Sequence, residues 1–280
     1  MIELAAADWA ARLLPEQGGA FAALAWQGQD ILVPLPLGAD PTASFAGAFV
    51  MAPWANRLDA GQLPFAGTTH QLRVNRSEDN TAIHGLARDR PWQVERADAT
   101  SAVLVQQVDD PPFNCLARLE VGLAAAGLHL ALSLRNLAPW PVPMGLGWHP
   151  FFVRPAGTRL RFAATALLGR DARCLPVAVQ PSHGVDGAEP DYEGLDTHFT
   201  GWDGVVELLR PGLALRLCAE GAWAHNLQVF APAGSGVLCA EPVSHVPDAP
   251  NRPAFAALGP LSMLAPDAVL RAELHLSARR

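Results

Sequence analysis

The chain has 280 residues, half of them apolar, and a formal net charge of −7 at pH 7. All twenty basic residues are arginine, so the missing lysine excludes Schiff-base enzymes, pyridoxal enzymes and P-loop nucleotide sites. The acidic balance offers no electrostatic surface for nucleic acid or an anionic membrane, and no apolar stretch is long enough to span a bilayer.

The cysteines, the N-terminus and the length predict a compact intracellular protein. Cys115, Cys174, Cys218 and Cys239 form no C-x-x-C pair, which is typical of reduced thiols in a cytosolic protein. The first residues show no basic segment followed by an apolar run, so we expect no secretion signal and a cytoplasmic location. We expect a single domain over residues 1–280, as a monomer or a weak dimer.

The first third of the chain predicts short strands separated by loops. Residues 1–33 combine apolar runs with a Gly-Gly turn, and residues 34–47 are loop-like, with three prolines. Asn56 and Arg57 follow a tryptophan in a turn-rich stretch. They are either a solvated turn or a polar hook for hydroxyl groups.

Alternation of apolar and polar residues predicts the next strands. It favours a strand at 71–76 and paired strands at 92–97 and 101–109. The clearest hairpin covers residues 116–137, in which leucines and valines alternate with polar residues on both arms. His84, before a glycine, is ambiguous between a structural and a functional role.

The stretch from Gly147 to Phe152 is the strongest functional candidate. It places His149 between a tryptophan and a proline, after a run of small residues. Trp148, Phe151 and Phe152 can form an apolar wall of the kind that stacks on the C–H face of a sugar. For a lone histidine, burial at a strand end is the better explanation, and the second motif at Glu241 is what favours a functional role.

The last third predicts a long loop followed by hairpins. Residues 171–200 are rich in glycine and proline and carry Asp196, so we expect a binding loop there. Hairpins are predicted for 205–210 with 213–219 and for 226–231 with 236–240, the latter placing Glu241 at a strand end, and a closing strand for 269–276.

These elements indicate one all-β domain, a large antiparallel sandwich. Glu241 begins a second distinctive stretch, Glu-Pro-Val-Ser-His-Val-Pro-Asp, in a setting as fixed as that of His149. A glutamate and a histidine are the usual groups for moving protons near neutral pH. The candidate polar set is Asn56, Arg57, His84, His149, Asp196 and Glu241.

In their order along the chain these motifs resemble the aldose 1-epimerases, or mutarotases. The matching motifs are Asn56-Arg57, His84-Gly85, Gly147–Phe152, Leu195–Phe199 and Glu241–Ala249. The resemblance runs from about residue 20 to the C-terminus. The histidine-proline and glutamate motifs are its most specific parts.

The resemblance implies a galactose-mutarotase-like antiparallel β-supersandwich and interconversion of sugar anomers without a cofactor or a metal. It makes Glu241 the base and His149 the acid, with His84 as a further catalytic group near the ring oxygen. It makes Arg57 and Asp196 hydroxyl-binding residues, supported by Asn56. We add Trp148 as an apolar contact, and expect a free aldohexose such as galactose or glucose as the partner molecule.

The sequence departs from the family pattern in one respect. The spacing from Asn226 to Glu241 is short, and a glutamine that binds sugar in some members has no clear match. The rim of the site, and with it the sugar preference, is therefore expected to differ.

Four other functions have different residue requirements. A cupin-type metal enzyme needs closely spaced histidines such as His-x-His, which do not occur. A glycosidase needs two carboxylates roughly 5–10 Å apart; Asp196 and Glu241 are candidates, but His149 then has no role. A non-catalytic sugar-binding module needs neither Glu241 nor His149. A hexose-6-phosphate mutarotase needs arginines that converge on a phosphate, and the candidates are Arg73, Arg76, Arg88 and Arg90.

Overall fold

A computed structural model describes all residues of the chain, 1–280. The strands are β1 (Ile2–Ala6), β2 (Trp9–Leu14), β3 (Ala20–Trp26), β4 (Gln29–Asp30), β5 (Ala48–Met51), β6 (Arg57–Asp59), β7 (Gln62–Phe65), β8 (Thr68–Gln71), β9 (Thr81–Ile83), β10 (Gln93–Ala97), β11 (Ser101–Asp110), β12 (Phe113–Ala124), β13 (Gly127–Asn136), β14 (Val142–Met144), β15 (Gly147–Pro150), β16 (Phe152–Val153), β17 (Arg159–Phe162), β18 (Ala166–Arg170), β19 (Pro176–Pro181), β20 (Val185–Gly187), β21 (Asp196–Thr200), β22 (Val205–Arg210), β23 (Leu213–Gly221), β24 (Asn226–Phe230), β25 (Val237–Val243), β26 (Ser262–Leu264) and β27 (Val269–Arg279). The helices are α1 (Glu189–Tyr192) and α2 (Pro253–Ala256), with 3₁₀ turns at Ala87–Asp89 and Ala249–Asn251. Neither helix has the length and apolarity that crossing a bilayer requires.

Two large antiparallel sheets make up the fold. The first has twelve strands, in the order β1-β2-β3-β5-β15-β25-β24-β21-β18-β19, with β4 added to β3 and β16 added to β25. The second has nine, in the order β10-β11-β12-β13-β27-β23-β22-β17-β20. A cluster of 60 buried apolar residues drawn from both sheets forms the main core. The all-β antiparallel prediction is confirmed.

The predicted hairpins pair as expected. β12 pairs with β13 from Cys115↔Asn136 to Ala124↔Gly127, and β22 pairs with β23. β10 pairs with β11 across the predicted polar turn. Along β12 the side chains alternate between buried and partly exposed, because one face of this sheet packs on the core and the other faces solvent.

Two predicted stretches were wrong. Residues 72–75 are not a strand; the strand ends at Gln71, because the side-chain amide of Asn75 pairs with both backbone groups of Ile83 in place of a strand partner. The predicted loop at 171–200 contains β19, β20, α1 and β21, since its glycines and prolines separate short elements: β19 and β21 join the first sheet, and β20 joins the second.

The first sheet brings three of the candidate residues, His149, Asp196 and Glu241, together. β5, β15, β25, β24 and β21 are consecutive neighbours in it. Phe49 pairs with His149, and Glu241 pairs with Gln228. Glu241 lies inside β25, two residues before its end, not at the strand end that was predicted. Strand pairing therefore places residues far apart in sequence side by side.

Candidate active site

A pocket of about 510 Å³ opens on the face of the first sheet that carries His149 and Glu241. This volume lies within the range of roughly 300–1,000 Å³ that is usual for small-molecule sites. Six of the predicted residues line it: Asn56, Arg57, His84, His149, Asp196 and Glu241. The structure thus brings the whole predicted polar set into one cavity.

His149 and Glu241 are in direct contact at the base of the pocket. The His149 Nε2 atom lies 3.4 Å from Glu241 Oε1, and the two residues are 7% and 2% exposed. The His149 ring is held between Phe49 and Phe151, with ring centroids 4.7 and 4.5 Å away. These aromatic contacts fix the imidazole plane against the carboxyl group.

Burial moves the pKa values of this pair in opposite directions, because a dry environment disfavours both charged forms. It raises the pKa of Glu241 well above its ordinary value, and the nearby Asp196 carboxylate adds to the effect. It lowers the pKa of His149 to about 3, with a further contribution from the charge of Arg88. Burial therefore favours an uncharged carboxyl group beside an uncharged imidazole, and two groups this close titrate as a coupled pair.

His84 faces the same pair from the loop that follows β9. Its ring meets that of His149 edge-on, with centroids 5.3 Å apart. Its Nδ1 atom accepts a hydrogen bond of 3.2 Å from the backbone N–H of Asn56, so in the neutral ring the proton is on Nε2. Burial, Arg88 and His149 hold the pKa of His84 well below its ordinary value, and the ring is a neutral donor.

Backbone geometry explains why a glycine follows His84. His84 and Gly85 both have positive φ, 63° and 73°, the region that favours glycine. A Cβ on Gly85 would lie 2.1 Å from the carbonyl oxygen of Ala52. The chain can turn His84 into the pocket here only because residue 85 has no side chain.

Arg57 is held at the pocket wall by a buried carboxylate. Its Nε atom donates to Asp79 Oδ2 at 2.8 Å, and Arg76 donates to the same oxygen at 3.1 Å. Burial opposes ionisation of Asp79, but hydrogen bonds from Thr81 and Arg57 outweigh it and lower the pKa of the carboxyl. The terminal nitrogens of Arg57 make no hydrogen bond to the protein and remain available to a ligand.

An amide chain links the other side of the pocket. Asn56 Nδ2 donates to Gln228 Oε1 at 3.2 Å, and Gln228 Nε2 donates to Asp196 Oδ1 at 2.7 Å. Asp196 Oδ2 accepts from Arg170 at 2.6 Å. Asn56 and Asp196 are thereby held in fixed orientations on either side of Gln228.

Gln228 lines the pocket although the sequence analysis did not select it, and Arg88, which was named only as a candidate for a phosphate, lines it as well. No glutamine was expected at the site, yet Gln228 lies directly opposite Glu241 on the paired strand. The sequence did contain an indication: Gln228 is a polar residue between the apolar residues Leu227 and Val229 of β24, and all three are buried. Arg88 gave no comparable signal among several exposed arginines.

Trp148 does not reach the pocket. Successive strand residues point to opposite faces, so when His149 faces the pocket Trp148 faces the core, where it is fully buried against Phe21 and Phe152. Of the predicted apolar wall, only Phe151 lines the cavity. The apolar surface of the pocket is therefore formed by Phe151 with Phe45, Phe49 and Phe230, and not by Trp148.

The rest of the glutamate motif holds the loop that carries Asn56 and Arg57. His245 Nε2 lies 3.1–3.2 Å from the backbone oxygen and nitrogen of Ala55, and its Nδ1 lies 2.9 Å from Ser244 Oγ. The backbone N–H of Asp248 donates to the carbonyl of Arg57 at 2.9 Å. The motif therefore has two structural roles. It supplies Glu241, and its later residues position the loop that carries Asn56 and Arg57 on the opposite wall of the pocket.

Three side chains at the base of the pocket could in principle contact a metal. His149, Glu241 and the thiol of Cys239 offer ligand atoms within 4.8 Å of one another. Burial raises the pKa of Cys239 well above its ordinary value, which disfavours the thiolate that a metal would need. The set therefore lacks the thiolate that a metal site with a cysteine ligand would use.

The buried histidines predict that the protein loses stability in acid. Burial lowers the pKa of His149 and His245 to about 3 and that of His198 to about 4. Below pH 6.5 these histidines bind protons in the unfolded chain but not in the folded one, so each costs about 1.4 kcal/mol per pH unit down to its folded pKa. The raised pKa of Glu241 acts in the opposite direction but offsets only one proton of the three. We expect the unfolding free energy to fall between pH 7 and pH 5, as measured in urea.

A substitution at His198 tests how much a single buried histidine contributes to this pH dependence. His198→Gln should reduce the pH slope of the unfolding free energy by about one proton, while the same change at the exposed His183 should leave it unaltered. An unchanged slope in His198→Gln would contradict a neutral His198.

Comparison with known proteins places the chain in a family. A profile of the aldose 1-epimerase family matches residues 2–277. The uncharacterised Escherichia coli K12 protein YphB is 27% identical over 253 residues, covering 84% of each chain.

Solved structures share the fold. One from Escherichia coli K12 superposes with a TM-score of 0.88 at 23% identity, covering 99% of this chain and 98% of its own. Galactose 1-epimerase from Lactobacillus acidophilus NCFM superposes with a TM-score of 0.80 at 17% identity, covering 98% and 92%. At these identities the likeness is one of fold alone, the galactose mutarotase-like fold. With the family profile spanning nearly its whole length, the chain belongs to the aldose 1-epimerase family.

Proposed function

We propose that this protein is an aldose 1-epimerase that interconverts the α and β anomers of free aldohexoses such as galactose or glucose. The observation that carries the proposal is the contact between His149 Nε2 and Glu241 Oε1, 3.4 Å apart in a pocket lined with hydroxyl-binding groups. Family membership supports an isomerase activity of this kind.

The reaction needs one proton removed and one supplied. Glu241 removes the proton of the anomeric hydroxyl, and that oxygen becomes the aldehyde carbonyl as the C1–O5 bond breaks. His149 delivers a proton to O5, which keeps the bonding electrons. Rotation about C1–C2 and the reverse transfers then form the other anomer. The neutral Nε2–H of His84 can donate to O5 or to a neighbouring hydroxyl.

Burial favours the neutral form of the pair, which is the form that ring opening leaves behind. A ring-closed sugar requires a Glu241 carboxylate beside a protonated His149, whereas the opened aldehyde leaves a Glu241 carboxylic acid beside a neutral imidazole. In both states the pair shares one titratable proton, which lies on His149 before ring opening and on Glu241 after it. The dry environment raises the pKa of Glu241 and lowers that of His149, so it stabilises the neutral pair that accompanies the aldehyde.

Arg57 should bind sugar rather than act on it. Charge-assisted hydrogen bonds contribute about 1.5–3 kcal/mol, so Arg57→Ala is expected to raise KM by roughly 10–100-fold with a smaller effect on kcat. The matched control is Arg73→Ala, an exposed arginine that does not line the pocket. Initial-rate polarimetry separates the two constants, and an unchanged KM would contradict the assignment.

Sugar phosphates are the alternative substrate, since Arg76 and Arg88 line the pocket while Arg73 and Arg90 do not. Arg76 Nε is 3.1 Å from Asp79 Oδ2, which it shares with Arg57, and Arg88 Nε is 3.6 Å from Asp89 Oδ1. The carboxylates of Glu78 and Asp196 also line the pocket, and this negative charge disfavours a phosphate.

We therefore expect a higher kcat/KM for glucose than for glucose 6-phosphate. Anomerisation of freshly dissolved α anomers, followed by polarimetry with the buffer rate subtracted, provides the comparison. A strong preference for the phosphate would replace the free-sugar proposal, and sugar binding with no acceleration of either would favour a binding module.

A further inference from the structure

The outer face of the second sheet carries two histidines side by side. His129 on β13 and His275 on β27 lie directly opposite each other in the antiparallel pairing, and their ring centroids are 4.7 Å apart. Their neighbours along each strand are buried leucines, so both rings point away from the core, because successive strand residues face opposite sides. The sheet therefore presents two imidazoles to solvent at one point.

A carboxylate lies beside the two rings. Glu273 is two residues before His275 on β27, so it projects from the same face of the strand. Its Oε2 atom is 3.4 Å from His129 Nε2, and the side chains of Glu273 and His129 are 34% and 36% exposed. His275 is exposed as well. All three groups can therefore be reached by an ion from solvent.

The spacing of these groups matches that of ligands on one metal ion. Zinc binds imidazole nitrogen and carboxylate oxygen at about 2.0–2.2 Å, so two ligand atoms at the tetrahedral angle are roughly 3.3–3.5 Å apart. The distance from His129 Nε2 to Glu273 Oε2 is 3.4 Å. The exposed ring of His275 can bring a nitrogen to the same ion by rotation about its side-chain bonds, which leaves the fourth position to water.

The surroundings leave room for an ion and its water. Gly122 lies opposite His129 on β12, and a Cβ there would meet no atom within 4 Å. One cation competes, because Arg271 Nη2 is 3.4 Å from Glu273 Oε2. Arg271 Nη1 also donates to Glu120 Oε1 at 3.0 Å, so Arg271 keeps a carboxylate partner when Glu273 turns to an ion.

We propose that His129, Glu273 and His275 bind a divalent transition metal ion such as Zn²⁺. Imidazole and carboxylate groups are among the ligands that this ion takes in proteins. The site is on the second sheet, apart from the pocket on the first, and takes no part in the sugar chemistry. Its ligands come from strands far apart in sequence, so the ion binds the folded chain and stabilises the pairing of β13 with β27.

The test is calorimetric titration of Zn²⁺ into the full-length protein after treatment with a chelator. Losing a group that merely orients a ligand costs roughly 10–100-fold in metal affinity, so His129→Ala, His275→Ala and Glu273→Gln should each weaken binding at this site at least about tenfold. The matched control is His225→Ala, an exposed histidine between β23 and β24, which should bind as the wild type does. Comparison with the wild type separates this site from the thiols and from the pocket.

Two further measurements follow the same site. Zn²⁺ should raise the Tm of the wild type more than that of the double variant His129→Ala/His275→Ala. On the unaltered protein it should shift the imidazole NMR signals of His129 and His275, which requires no variant to fold. Equal Zn²⁺ affinity in the three ligand variants and the control, or Zn²⁺ binding that leaves those two signals unmoved, would overturn the proposal, as would the absence of saturable binding.

Discussion

Replacing Glu241 by glutamine is expected to lower kcat for anomer interconversion by about 10²–10⁴. The amide has nearly the shape of the carboxyl group but cannot accept the proton of the anomeric hydroxyl. Glu241 is 2% exposed, so no water can readily take over its role as the base. Affinity for the sugar should change far less than kcat, because the other pocket residues remain in place.

The matched control for this variant is Glu220→Gln, an exposed glutamate on β23 in the second sheet, which should retain the full rate. Polarimetry gives kcat, and isothermal titration calorimetry gives sugar affinity. Full activity in Glu241→Gln would refute the assigned base even if the wild-type protein proves to be a mutarotase.

Replacing His149 by asparagine should also lower kcat by about 10²–10⁴. Asparagine cannot protonate the ring oxygen as the C1–O5 bond breaks, and Glu241 loses the neighbour whose Nε2 lies 3.4 Å away. The Phe49 and Phe151 rings that hold the imidazole leave space for the smaller side chain, so folding should survive.

His129→Asn is the matched control, because His129 lies on the partly exposed face of β13 in the second sheet. The double variant Glu241→Gln/His149→Asn should be little slower than either single variant, since residues that act as a unit are not additive. If the double variant instead lowered kcat by the product of the two single effects, the residues would act independently, and a shared proton would be contradicted.

The sequence predicted most of the fold because period-two alternation is strong where one face of a strand is exposed. The hairpin of β12 and β13 shows this, and it matches closely. The strand expected at 71–76 rested on only Leu72 and Val74, and the side chain of Asn75 determines the local structure instead. Short segments held by side-chain hydrogen bonds do not show this periodicity.

The site was predictable in its residues but not in its geometry. Motifs identified Asn56, Arg57, His84, His149 and Glu241, yet only the pairing of β15 with β25 places His149 beside Glu241, and only the pairing of β6 with β9 places Arg57 near His84. Trp148 was misplaced because its neighbour His149 occupies the pocket side of the same strand. Gln228 was missed because it reaches the site only through the register in which β24 pairs with β25. The short spacing from Asn226 to Glu241 did not reveal that register.

The central claim is that the protein accelerates ring opening and closure in both directions. Exchange NMR on glucose or galactose at anomeric equilibrium measures this directly, through magnetisation transfer between the α and β anomeric protons. We predict exchange above the buffer rate that rises in proportion to protein concentration and leaves the anomer ratio unchanged. Sugar that binds, as seen by line broadening, without any added exchange between the two anomers would contradict the account.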